Sequence, residues 1–241
     1  MKNLLLFFVL MWGIHCYAQK DVHWTYPVLP GTDVWANLTN YQEKVNVCQI
    51  PEDLLRTINT PCLIQLCLNY PLLLDIYSFN QMSQGFEAFY SNFNGIRELV
   101  SRDDAVDELI AFYKREQEQQ ISILNNSVVP LEKKGNYIFQ ISAIEMFLGC
   151  PQLQANQSAP KQKEVMKILL DGYEKKYDSL SEFKGLGFYA NVFSRANLIN
   201  KINPNLLKEK NKNVYKLING VVRDIEAVEE LNQMSYQLIR K

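Results

Sequence analysis

The sequence predicts an all-α protein: an array of short antiparallel helices, as a bundle or an irregular solenoid-like stack, with a long C-terminal helix. Three observations predict it. Apolar residues recur at spacings of three and four along most of the chain, while Val, Ile and Thr rarely alternate with polar neighbours. Pro, Ser, Thr, Asn and Asp gather where these stripes begin, as helix starts require. The connections between stripes are short, which suits antiparallel packing of consecutive helices.

The elements follow in order. Residues 23–31 read as an extended lead, because Pro27 and Pro30 keep it out of helix. A first helix is expected from Thr32 or Asp33, with Trp35, Leu38, Tyr41 and Val45 on one stripe. Pro51-Glu52-Asp53 supplies a fixed first-turn φ and acidic groups at the positive end of the next. Thr60-Pro61 is expected to cap and open a third, ended by Pro71, with a further helix to Phe79. Phe86, Phe89, Tyr90 and Phe93 share one face after Ser83. Ser101-Arg102-Asp103-Asp104 resembles a capping box before Val106, Leu109, Ile110 and Tyr113.

Periodicity fades from Gln117 to Gly135, which reads as a waist between lobes 19–120 and 134–241 of a single helical domain, 19–241. Tyr137 to Gly149 is apolar on nearly every side and should form a central buried helix. Val165, Ile168, Leu169 and Tyr173 form an amphipathic stripe, Gly185-Leu186-Gly187 reads as a turn, and Asn203-Pro204 starts another short helix. Val214, Ile218, Val221, Ile225, Val228, Leu231, Met234 and Leu238 lie 3 or 4 apart and predict one long closing helix.

Residues 1–18 have the form of a secretory signal peptide: Lys2, an apolar run from Leu4 to Trp12, and Cys16 and Ala18 before an expected cut. Nine apolar residues are too few for a membrane span, which needs about 20, and no later stretch approaches that length. Export to the periplasm is expected, with secretion as the alternative. His15 before Cys16 argues against lipidation. Cleavage would leave His23 as the only histidine, which removes multi-histidine metal sites and most histidine-dependent triads. No metal and no cofactor is expected. The full chain carries 25 basic and 26 acidic residues, so it has no bias toward nucleic acid.

The chemistry that remains rests on ionisable groups in apolar settings. Glu145 shares a helix face with Ile138, Ile141 and Leu148. Asp75 stands within Leu72-Leu73-Leu74-Asp75-Ile76-Tyr77, Arg97 follows Phe93-Asn94-Gly95-Ile96, and Arg195 lies in Phe193-Ser194-Arg195-Ala196. Glu145 and Asp75 are weak candidates for a general acid and base, with Arg97 beside them. The competing role is a buried ion-pair network that fixes helix register. Trp24, Tyr26 and Trp35 are candidates for a ligand or glycan platform, or for a clamp holding the lead to the domain. Cys48 could bridge to Cys62 or Cys67, or all four later cysteines could be small buried apolar residues.

The strings Pro30-Gly31-Thr32-x-x-Trp35, Cys48-Gln49-Ile50-Pro51-Glu52, Cys67-Leu68-Asn69-Tyr70-Pro71 and Phe93-Asn94-Gly95-Ile96-Arg97-Glu98-Leu99 resemble a group of uncharacterised exported proteins of Bacteroidetes-type bacteria. The resemblance spans residues 26–113 and carries over no activity. It implies an envelope or secreted location, and Asp178-Ser179-Leu180 is similar to the O-glycosylation pattern of such bacteria. A C-terminus read as helix, without a β-rich secretion domain, favours the periplasm. Together these readings give an envelope-side binding or structural module whose partner is an envelope protein or glycan. The alternative is a small helical hydrolase acting on glycan or peptidoglycan through buried carboxylates.

Overall fold

The computed structural model describes residues 24–124, 126–177, 186–208, 212–223 and 225–240, and every regular element among them is a helix. The leader segment 1–18, His23 and the Asp178-Ser179-Leu180 string lie outside the described residues.

The lead is pinned first. Tyr26 is buried and its hydroxyl donates to the Leu66 carbonyl at 2.9 Å. The single stripe expected from Trp35 to Val45 divides into α1 (Asp33–Ala36) and α2 (Tyr41–Val47). The division is local chemistry: Asn40 Oδ1 accepts from Glu43 N at 2.9 Å, while the Glu43 carboxylate accepts from Thr39 N at 2.6 Å. That reciprocal cap restarts the helix. α3 (Glu52–Thr57) starts after Pro51 as expected.

α4 (Thr60–Leu68) is capped one residue earlier than the sequence suggests, by Asn59 Oδ1 accepting from Cys62 N at 2.9 Å. Thr60 is thereby released to donate to Asp104 Oδ1 at 2.7 Å. The expected helix after Pro71 is a 3-10 segment, Leu73–Ser78. Then come α5 (Met82–Asn92), α6 (Asn94–Ser101) and α7 (Ala105–Leu124). The Asn94 side chain joins the two halves of this region, donating to Ile50 O at 2.7 Å and accepting from Ile50 N at 3.0 Å.

The region read as a waist is mostly helical. α7 continues to Leu124 and α8 (Leu131–Gly149) begins after Pro130. Every residue from Ile141 to Gly149 is buried, which makes the second half of α8 the central strut. Phe147 stacks on Phe89 at 5.8 Å and meets Phe86 edge-on, so aromatic packing carries the core across from α5 to α8. One buried apolar cluster runs from Tyr26 to Leu238.

α9 (Pro151–Gln154), α10 (Ala159–Tyr177) and α11 (Leu186–Ile202) complete the wrapping of α8. Gly187, expected in a turn, sits in the first turn of α11. α12 (Pro204–Lys208) and α13 (Lys212–Lys216) are short. The apolar seam expected as one helix from Val214 to Leu238 is interrupted. A 3-10 turn, Leu217–Asn219, ends at Gly220 with φ of +71°, and α14 (Ile225–Arg240) starts afresh. A left-handed residue terminates a helix whatever the apolar spacing around it. α14 is nonetheless the long C-terminal helix of the fold.

Cys48, Cys67 and Cys150 are buried free thiols, so the expected bridge from Cys48 to Cys62 or Cys67 is not formed. They pack as apolar side chains. Burial pushes the Cys48 and Cys150 thiols up to about 12, and raises that of Cys67 as well. A thiol reacts as its thiolate. The native protein at pH 8 should therefore leave these three cysteines unlabelled by Ellman's reagent, and denaturant should expose them. Native labelling as fast as that of the unfolded chain would contradict their sealed placement.

Candidate functional site

Glu145 is the centre of the buried polar structure. It faces out of α8 into the contact of α7, α10 and α11 and is fully buried. Three donors satisfy it: the Tyr113 hydroxyl from α7 and Asn191 Nδ2 at 2.8 Å from α11, both on Oε1, and Lys176 Nζ at 2.5 Å from α10 on Oε2. Lys176 Nζ also donates to the Gly187 carbonyl at 3.1 Å. Burial lowers the lysine's pKa, and the adjacent carboxylate opposes that shift. The Tyr113 phenol is raised well above its usual range, by burial first and then by the Glu145 charge.

The network continues through Arg195, also fully buried. Its Nε donates to Asn191 Oδ1 at 2.8 Å, which fixes the Asn191 amide with its NH₂ toward Glu145 and the Leu169 carbonyl. Its Nη1 reaches Asn232 Oδ1 at 2.8 Å and Ser235 Oγ at 3.2 Å on α14. The guanidinium lies 4.5 Å from the centre of the Tyr173 ring, a cation–π contact, while Nη2 is buried without a hydrogen-bond partner. Burial lowers the Arg195 pKa to about 10. One chain of polar contacts thus ties α7, α8, α10, α11 and α14 together.

Asp75 and Arg97 take no part in it. Asp75 is half-buried on the 3-10 segment, and Tyr41 and Lys44 of α2 act on its charge. Burial raises its pKa, against the opposing effects of Tyr41 and Lys44. Arg97 is exposed and donates from Nη1 to the Tyr90 and Ser91 carbonyls at 3.1 and 2.7 Å, closing the end of α5. The direct partners of Glu145, Asp75 and Arg97 share no residue. Glu145 has both carboxylate oxygens occupied by buried donors, so an acid–base pair with Asp75 is not assembled.

The aromatic candidates separate as well. Trp24 meets Tyr26 edge-on at 4.8 Å, Tyr26 contacts Tyr70 at 6.2 Å, and Tyr70 stacks on Phe93 at 4.0 Å. This chain of rings leads inward, so Trp24 and Tyr26 act as the clamp of the lead. Trp35 stands apart, packed against the core with Lys44 Nζ 5.5 Å from its ring centre. Tyr41 is 50% exposed and Leu74 57% exposed. Trp35 of α1 and Lys44 of α2 are thus neighbours near the surface.

Sequence reasoning singled out Glu145 and Arg195 but not Lys176, which follows Glu174 and Lys175 at the end of α10. The signal was present: Leu169, Tyr173 and Lys176 fall at successive spacings of 4 and 3, which places the lysine on the inner stripe. Among the described residues no group of three or more His, Cys, Asp or Glu is placed to hold a metal ion, and no helix is long and apolar enough to cross a membrane. The fold and its interior define a class, an all-α domain built around a buried ion-pair network. Comparison with protein-family models, with curated proteins and with solved structures gave no match to this chain.

Proposed function

We propose that the protein is an exported binding module of the bacterial cell envelope whose partner is a glycan. The observation that carries this reading is the division of its polar groups. The interior charges meet one another around Glu145, whereas Trp35, Tyr41, Lys44 and Asp75, on α1, α2 and the 3-10 segment, keep part of their surface accessible. The leader predicted in residues 1–18 and the resemblance to exported proteins support an envelope location. A hydrolase acting on the same material would need a reachable carboxyl pair, and the partners of Glu145 and Asp75 offer none.

The test uses protein recovered after export and purified peptidoglycan sacculi. The protein should sediment with the sacculi and release no soluble saccharide. Protein that stays wholly in the supernatant overturns the reading. Release of reducing ends that is lost in Glu145→Gln, in a variant still folded, would replace it with the hydrolase.

A further inference from the structure

We infer that Lys176 and Asn191 are joined after folding by an isopeptide bond from Nζ to Cγ, with Glu145 as the proton carrier and ammonia as the leaving group. The inference concerns the interior and stands apart from what the protein binds.

Amide exchange of this kind has four requirements. The amine must lose its proton, the amide carbonyl must be polarised, the departing nitrogen must gain a proton, and water must be kept away. All four are met around Glu145. Its two carboxylate oxygens hold the two nitrogens of the reaction: Lys176 Nζ lies 2.5 Å from Oε2, and Asn191 Nδ2 lies 2.8 Å from Oε1. The Tyr113 hydroxyl shares Oε1 and steadies the carboxylate. The Asn191 carbonyl oxygen faces Arg195 and accepts from its Nε at 2.8 Å. Negative charge that develops on that oxygen therefore meets a cation already in place. Glu145, Asn191 and Arg195 are fully buried and Lys176 is 5% exposed. Burial favours the neutral form of the lysine, against the pull of the carboxylate.

The helices fix the pair as well. Lys176 is in the last turn of α10 and Asn191 is on α11. A second contact, from Nζ to the Gly187 carbonyl at 3.1 Å, holds the amine against α11. Groups positioned in this way react without having to find each other.

The steps balance. Glu145 takes a proton from the Lys176 ammonium, which leaves a neutral amine and a neutral acid. The Nζ lone pair attacks Asn191 Cγ, and the carbonyl electrons move to Oδ1. Glu145 passes its proton to Nδ2 and recovers one from Nζ. The Oδ1 electrons return, the Cγ–Nδ2 bond breaks with its electron pair on nitrogen, and ammonia leaves. The products are a secondary amide, ammonia and an uncharged Glu145. No oxidant is consumed, and neutral groups replace the buried ion pair. Direct condensation of Lys176 with Glu145 is the competing link, but an ionised carboxylate is a poor electrophile and here it is needed as the base. The link closes the chain between α10 and α11 and so constrains the unfolded state, as a disulfide does. Substitution of Glu145 forfeits it together with the hydrogen bonds.

The test is a peptide map, by mass spectrometry, of protein recovered after export, unfolded and digested with trypsin. The Lys176 and Asn191 peptides should appear mainly as one branched species, lighter than the two sequences together by one ammonia and uncut after Lys176. The map is needed beside the intact mass, because cyclisation of Gln19 as a new N-terminus, or of Asn219 before Gly220, also releases ammonia. Glu145→Gln keeps the shape of the acceptor but takes no proton. That variant, folded by circular dichroism, should give the two peptides unlinked, as should Lys176→Arg. Separate, unmodified Lys176 and Asn191 peptides from the parent overturn the inference, and they do so whether or not the variants fold. A branched peptide that persists in folded Glu145→Gln overturns it too, as does a link from Lys176 to Glu145 with loss of water.

Discussion

Glu145→Leu is expected to lower the stability of the fold by about 3–5 kcal/mol, the range for removing one partner of a buried ion pair. The substitution leaves the Lys176 ammonium, the Tyr113 hydroxyl and the Asn191 amide without the acceptor they share. Domains are stable by only about 5–15 kcal/mol, so the loss is a large share of the total. For a chain of this size about 2–4 °C of melting temperature goes with each kcal/mol, which puts the expected fall at roughly 6–20 °C. Lys176→Met added to Glu145→Leu should restore part of it, since an apolar replacement of both partners removes the stranded charge. Urea and thermal unfolding of the four corners of this cycle give the coupling directly. A single Glu145→Leu variant that melts with the parent would show that the carboxylate is not holding these donors.

The second large effect is steric. Gly149→Ala places a methyl group 2.5 Å from Ser194 Cα, at the crossing of α8 and α11. A backbone atom cannot turn aside as a long side chain can, so the helices must move apart. Glu145 is one turn before Gly149 on the same side of α8, and its partner Asn191 is one turn before Ser194 on α11. Separation at the glycine therefore also stretches the 2.8 Å contact between Asn191 and Glu145. We expect a loss of about 2–3 kcal/mol, near the upper part of the range for overpacked cores. Gly135 provides the comparison within the same helix. A Cβ there meets nothing within 4 Å, so Gly135→Ala should gain about 0.5–1 kcal/mol from helix propensity and a less flexible unfolded chain. One substitution type, 14 residues apart on α8, should thus change sign.

The elements that were legible in the sequence are those decided by short-range chemistry or by uniform apolarity. Residues Ile141–Gly149 are buried on every side because almost nothing in them can face water, and Pro51 and Pro204 mark their helix starts. Boundaries set by a competing cap were harder to place. Asn59 takes the cap expected of Thr60, and Thr60, inside the first turn, bonds instead to Asp104 44 residues away. The break at Gly220 was hidden by a seam whose spacing continues undisturbed on either side. In the buried network, Glu145 and Arg195 stood out as charges in apolar strings, while Lys176 was masked by charged neighbours. The surroundings of Trp35 were half legible: the ring was noted, but only the fold brings Lys44 of α2 to 5.5 Å from it.

Arg195 has a further consequence, for how the interior is closed. Its acceptors Asn232 and Ser235 both belong to α14, at the far end of the chain. Without that helix the guanidinium keeps Asn191 and the Tyr173 ring but loses both of these oxygens. An uncompensated charge costs most where water is excluded, so the last helix stoppers the interior as well as walling it.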